Sequence, residues 1–443
     1  MNLKNINRKC ALLLVSWLIG YGQPADAQQG WSLERCLVYA QKHNKELLVQ
    51  RKGTDLALTA TGDSKARLLP TIEATASLDH YWQIPVQVFP GELAGQPQGT
   101  FIPVRLGTPW MGNAALQAEM PLVDASRWQQ IKVSILEQQL KESEYQSTQQ
   151  LIAKNVRMAF YNAVLVAEQE VVSVARAKDF AQSHRLTKMN FEKGLTDQIA
   201  ANQSQALLEG LGDDAERMKA SYQQALLDLK FWMGYPLSDT ITLDTSGPIS
   251  GFDGLVKNFR QERLPGFVRD SLAEVTANAS LLQARSSLYP KLTLVSGYSR
   301  LGFGSEVNFI TRSKWFSSGY VGLRFSVPLF DIRQMHYRLK MERYNVQLAL
   351  AEKEANTLAG AKSFLAAKLR YSRASQQMEM LENKQLLAEQ NVRLAGKKLE
   401  KGIIDMIQMK QVQDELSVVQ RERLAARLQA LTEAVELEYL QGN

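Results

Sequence analysis

The sequence predicts a mainly α-helical protein with a small β part, built from one helix–hairpin–helix–helix module that occurs twice. Three observations predict this class. First, motifs recur in order. Met120-Pro121-Leu122-Val123-Asp124 returns as Val327-Pro328-Leu329-Phe330-Asp331, and Phe191-Glu192-Lys193-Gly194-Leu195 as Leu399-Glu400-Lys401-Gly402-Ile403. The spacing, about 207 residues, is far longer than a solenoid unit. Second, after each Pro-Leu-x-Asp step about 68 residues pass with no proline and hardly any glycine. Third, four short segments alternate apolar and polar residues with period two.

The N-terminus reads as a secretion signal over residues 1–27. Lys4, Arg8 and Lys9 precede an apolar run from Ala11 to Ile19, and Ala25-Asp26-Ala27 fits a small-x-small cleavage site. Cleavage leaves Cys36 as the only cysteine, so no intramolecular disulfide is expected. The formal charge of +7 becomes a mild positive excess without the signal and does not argue for nucleic acid. No later run is long and apolar enough for a membrane helix. A membrane-spanning role would fall to strands.

The first repeat covers 28–238, with strands at about 71–82 and 111–120. A linker or equatorial segment follows at 239–263, rich in Pro and Gly. The second repeat covers 264–443, with strands at about 291–300 and 317–327. In the first strand Ile72, Ala74, Ala76 and Leu78 oppose Thr71, Glu73, Thr75, Ser77 and Asp79. In the last, Val321, Leu323 and Phe325 oppose Gly322, Arg324 and Ser326. The apolar face suits lipid or a soluble core. Strand length, the secretion signal and aromatics near the strand ends favour lipid: Tyr81, Trp82, Trp110, Trp315, Phe316 and Tyr320. The segment from about Gln83 to Gly112 carries five prolines and is expected to be a turn-rich loop without strand.

Asp124 and Asp331 are placed to cap the long helices, each roughly 100 Å long at 1.5 Å per residue. Apolar residues three and four apart predict coiled-coil-like packing. Shorter helices, about Leu33–Leu69 and Gln198–Met233, are expected to stack end to end beside one long helix. Four strands leave two open edges, which lipid does not tolerate. Two copies would make an eight-stranded barrel filled by side chains, and three a twelve-stranded barrel wide enough to be hollow.

With these features in order, the chain resembles a TolC-type outer-membrane efflux protein, of the outer membrane factor family. The carriers are the duplicated module, Pro121–Asp124 and Pro328–Asp331, the tips Lys193–Leu195 and Lys401–Ile403, and the opening Trp31-Ser32-Leu33-Glu34 with His43-Asn44. The resemblance implies a homotrimer with a twelve-stranded outer-membrane β-barrel in lipid and a long periplasmic α-helical barrel. It implies partnership with a periplasmic membrane-fusion adaptor and an inner-membrane pump, of RND type for small-molecule efflux. The adaptor would dock on Gly194, Leu195 and Thr196 and on Gly402, Ile403 and Ile404. The same glycines also serve simply to let the chain turn. Relatives place acids a few positions after the second tip, ringing the periplasmic aperture; here those positions are Gln408 and Gln411, and Asp405 is the candidate substitute. Asp405 has a second reading, as the N-cap of the returning helix.

Other chemistry finds no motif. His43, His80, His184 and His336 are the only histidines, and none pairs at metal-ligand spacing. No phosphate-cradling or zinc-protease motif occurs. No catalytic residue, resident metal or cofactor is expected, and nucleic acid is not expected as a partner. Met406 and Met409 offer thioethers near the second tip, a soft-metal pattern that helical packing also explains. Two alternatives to a small-molecule exit duct stand: the outer-membrane duct of a type I protein secretion system, and a structural trimeric coiled-coil surface protein.

Overall fold

A computed structural model describes residues 30–244, 259–308, 315–329, 332–401, 403–404 and 406–442. The signal, most of the linker's centre, Asp331, Gly402 and Asp405 lie outside the described residues. The described helices, beyond two short 3₁₀ turns, are α1 (Leu33–His43), α2 (Lys45–Ala66), α3 (Ala125–Glu192), α4 (Gln198–Met233), α5 (Phe267–Ser286), α6 (Ile332–Glu400) and α7 (Met406–Leu440). The strands are β1 (Thr71–His80), β2 (Val86–Pro90), β3 (Phe101–Arg105), β4 (Trp110–Val123), β5 (Lys291–Gly304) and β6 (Trp315–Ser326). Two compact units form, and both draw on both repeats: Met1–Leu47 with Gln149–Asn258 and Ser363–Asn443, and Leu48–Thr148 with Phe259–Lys362.

In the second of these units β1, β4, β5 and β6 form one antiparallel sheet in the order β1-β4-β5-β6. The β4–β5 pairing joins the two repeats, from Trp110↔Gly304 to Val123↔Leu292, with a register shift between Pro121 and Val123. That shift lets β4 continue past Pro121, which cannot donate to a ladder. The segment 83–112 differs from expectation: β2 and β3 pair there as a small hairpin, with Val88 opposite Pro103 and Pro90 opposite Phe101. In a two-strand ribbon both strands are edges, so a proline occupies a position whose N–H would point outward.

Asp124 joins sheet to helix. It is 7% exposed, and its Oδ1 accepts from the Ser126 amide at 3.0 Å and the Ser126 hydroxyl at 2.6 Å. Its Oδ2 lies 3.7 Å from Lys291 Nζ at the start of β5. Burial alone would raise the carboxyl pKa, but the hydrogen bond from the Ser126 hydroxyl, the Lys291 charge and the Arg127 and Ser126 amides together outweigh it and hold the group below its ordinary value of 3.8. Between α2 and α3 short hydroxylated residues permit close approach: Ser64 and Ser134 hydroxyls lie 2.7 Å apart, and Thr61 Oγ1 donates to Ser134 O at 3.1 Å.

In the other unit, the helix expected to run unbroken from Leu33 breaks at Asn44. Its ψ of 130° ends α1, its Oδ1 accepts from the Leu47 amide at 3.2 Å, and its Nδ2 donates to Trp232 O at 2.7 Å near the end of α4. One buried amide therefore fixes where α4 ends against the start of the next helix. Trp31 packs edge-on against Tyr39 and Tyr235, and its amide donates to Thr242 O at 2.8 Å.

The helical packing has a definite period. On α6, Ala367, Ala374, Leu381, Ala388 and Ala395 are all buried, each seven residues after the last. A strict heptad keeps one seam facing the neighbour only if helices supercoil left-handedly, and alanine at the seam brings axes close. Polar links bind α6 to α7 along this stretch: Arg370 to Glu433 at 2.6 Å and Arg423 to Gln385 at 2.9 Å. Half-buried ion pairs link α3 to α7, Lys154–Glu436 and Arg157–Glu438, each at 2.8 Å.

The Asp124 joint predicts a pH signature. A carboxylate with a depressed folded pKa contributes stability above its unfolded pKa and loses it as pH falls through the folded value. Asp124→Asn should lower stability near neutrality by about 1–2 kcal/mol, and the gap to wild type should close as pH drops below 3.8. Thermal midpoints against pH check this. A gap that stays constant through the acid range would remove the ionic contribution.

Candidate functional site

Two surfaces carry the functional geometry: the α-helical tips and the two faces of the sheet. At the first tip α3 ends at Glu192. Gly194 takes φ 71°, the left-handed conformation that an L side chain resists. Its amide donates to Phe191 O at 2.9 Å, and the Leu195 amide donates to Asn190 O at 2.8 Å. This is a Schellman closure, in which the residue after the glycine usually packs back on the last helical turn. Here Leu195 stays 74% exposed. Thr196 is half-buried. Asp197 then caps α4, its carboxylate accepting from the Ala200 amide at 2.8 Å.

The second tip repeats the closure. The Ile403 amide donates to Lys398 O at 2.9 Å, the same six-to-one bond, and Ile403 is 65% exposed. Ile404 is half-buried. Each tip thus presents one branched aliphatic side chain on a turn held by backbone bonds. Gly402 and Asp405 lie outside the described residues. On α7, Gln408 is exposed and Gln411 lines a groove between α6 and α7 with Lys384, Leu387, Asp414 and Val418. Met409 is half-buried on the same helix. The sequence reading missed Asp197 as the first repeat's counterpart of Asp405, though its offset of about 208 residues showed it.

The sheet's faces are chemically opposite. One carries Ile72, Leu78, Leu116, Leu294, Leu323 and Phe325; the other carries Glu73, Gln117, Glu119, Thr293, Ser299 and Arg324. On the polar face Arg324 Nη1 donates to Glu119 Oε1 at 3.0 Å. Tyr320 lies over Gly297, where even a Cβ would come within 2.6 Å of the ring. Trp110 and Trp315 fall on the apolar face near the ends farthest from the helices. Phe316 and Tyr320 do not: the register puts both on the polar face, so they are not part of an aromatic girdle facing lipid. Both edges of the sheet, β1 and β6, lack a partner strand among the described residues.

Among the described residues no His, Cys, Asp or Glu group could hold a metal ion, and no helix is long and apolar enough to cross a membrane. Cys36 is buried, and that burial pushes its thiol pKa up to about 12.

A sheet with one apolar and one ionisable face, in a chain whose long helices end in presented tips, has the TolC-like fold of outer-membrane channels. The family model for outer membrane efflux proteins matches residues 37–235 and 270–443, and the chain belongs to that family, whose members sit in the outer membrane. It is 22% identical over 225 residues to the cation efflux system protein CusC of Escherichia coli, covering 47% of this chain and 48% of that protein. It is 23% identical over 282 residues to the alkaline protease secretion protein AprF of Pseudomonas aeruginosa, covering 58% and 56%. The matches therefore span about half the length of these curated relatives. The CmeC outer membrane channel of Campylobacter jejuni superposes with a TM-score of 0.76 at 14% identity, covering 93% of this chain and 85% of that one.

The tip geometry predicts that Asp197→Ala will loosen the turn into α4, at about 1 kcal/mol for a lost cap. Limited proteolysis should then cut between Lys193 and Gln198 faster than in wild type. An unchanged cutting rate would show that the cap does not hold the tip.

Proposed function

We propose that this chain forms, as a homotrimer, the outer-membrane exit duct of a tripartite efflux system, passing small molecules from the periplasm to the outside. The observation that carries the reading is the four-stranded sheet with opposite faces and two open edges. In lipid each unpaired backbone group costs several kcal/mol, so the edges must meet other copies. Three copies give twelve strands, enough for a hollow lumen lined by the ionisable face. The relative named for cation efflux supports transport of small solutes. The relative named for protease secretion supports the second reading, a duct for exported protein.

In this reading the exposed Leu195 and Ile403 are the anchors on which a periplasmic adaptor docks, with Gly194, Thr196, Gly402 and Ile404 shaping the turns. An inner-membrane pump, of RND type, would stand behind the adaptor. In this reading the periplasmic aperture is formed by Asp405, which lies outside the described residues, with Gln408 and Gln411 on the first turns of α7. The repeat register also supports a capping role for Asp405, since Asp197 caps α4 at the equivalent place.

Two outcomes follow. The chain should run from outer-membrane fractions as a heat-modifiable trimer. A detergent monomer that keeps its strand content by circular dichroism would count against the duct. Leu195→Asp places a charge on a docking anchor without disturbing the backbone closure. It should leave the trimer intact while cutting site-specific adaptor cross-linking and drug resistance at least about tenfold. Normal cross-linking and resistance would move the docking site elsewhere.

A further inference from the structure

The polar face of the sheet is not polar throughout. Near the helices it carries Lys291, Arg324 and Glu119, then Glu73, Gln117 and Tyr320. Ser299 and Ser318 follow, their hydroxyls 2.9 Å apart. Beyond them, toward the hairpin tips, the chemistry inverts across β4, β5 and β6. Met111 pairs with Phe303, and Leu301 with Phe316. The Phe303 and Phe316 rings lie 6.2 Å apart, and Phe316 is 59% exposed. Four large apolar side chains thus cluster at one end of a face whose other rows carry charges, amides or hydroxyls. Among them sits Asn113, opposite Leu301, whose buried Oδ1 has no hydrogen-bond partner. On β1 the same rows carry Ser77 and Asp79, so one acid borders the cluster.

Burial of a polar atom with no partner is costly and rare. Four large apolar groups on a water-facing surface are also unfavourable unless something apolar meets them. The apolar cost is relieved by one kind of visitor, an amphipathic molecule with an apolar body. An apolar belt in a lumen wall has the opposite effect on small hydrated ions, since it offers their water shells no hydrogen-bonding partners.

We propose that Met111, Leu301, Phe303 and Phe316, with Asn113 beside them, form an apolar collar inside the outer mouth that passes amphipathic molecules and resists hydrated ions. The collar rests on the duct reading, because only there does this face line a lumen. It is a selectivity element separate from the helix tips.

Cysteine labelling tests it. Ser318→Cys places a thiol one row below the collar, and Cys36 is buried and unreactive. Intact cells are treated with three maleimides of matched size, each too large for general porins: one sulfonated, one carrying a quaternary ammonium, one uncharged. Both charged reagents should react about tenfold more slowly than the uncharged one. Replacing Phe303 and Phe316 together by Ser should abolish that difference while the trimer persists. Leu301→Asn provides a second variant with the same expected direction if the double variant does not assemble.

Slowing of the sulfonated reagent alone would assign the effect to the charge of Asp79 and overturn the collar. An unchanged rate ratio in an assembled variant would also overturn it, and in both cases the duct is left standing. If no reagent reaches the introduced thiol at position 318 in a folded outer-membrane trimer, the face is not a lumen. The duct reading then falls together with the collar.

Discussion

The backbone of two edge strands constrains everything else. β1 and β6 each present a row of N–H and C=O groups with no partner in the sheet. Water could satisfy them, but one face of the sheet carries Ile72, Leu116, Leu323 and Phe325, all exposed. A sheet apolar enough for lipid cannot also leave its edges wet. Closure with other copies removes both problems at once.

The helices meet their own requirement through small residues. The heptad on α6 sets alanine at four of five buried seam positions. Each contributes little burial by itself, and the total comes from length. Polar bridges such as Arg370–Glu433 and the half-buried Lys154–Glu436 join neighbouring helices. They specify which helix lies next to which.

The tips use the same economy. A glycine with positive φ and two backbone bonds close the first turn before Asp197 caps α4, and the matching six-to-one bond closes the second. That frees Leu195 and Ile403 to face outward. In many helix C-termini such a residue folds back on the last turn, whereas Leu195 is 74% exposed.

Much of this was legible in the residues. The duplication, the alternation of the strands, the proline-free helices and the turning glycines are local patterns, set by periodicity and by backbone freedom, and a chain shows them without folding. Even Asp197, missed at first, was visible in the repeat register. The rest depended on partners distant in sequence. The break at Asn44 needs Trp232, 188 residues away, to accept its amide. The β2–β3 hairpin survives its prolines because neither strand has a second neighbour among the described residues. The placement of Phe316 and Tyr320 on the polar face rather than in the girdle was decided by the β5–β6 register. Parity along a strand gives the two faces, but which aromatics share a face with the charges is fixed only when strands pair, because a slip of one residue exchanges the faces completely.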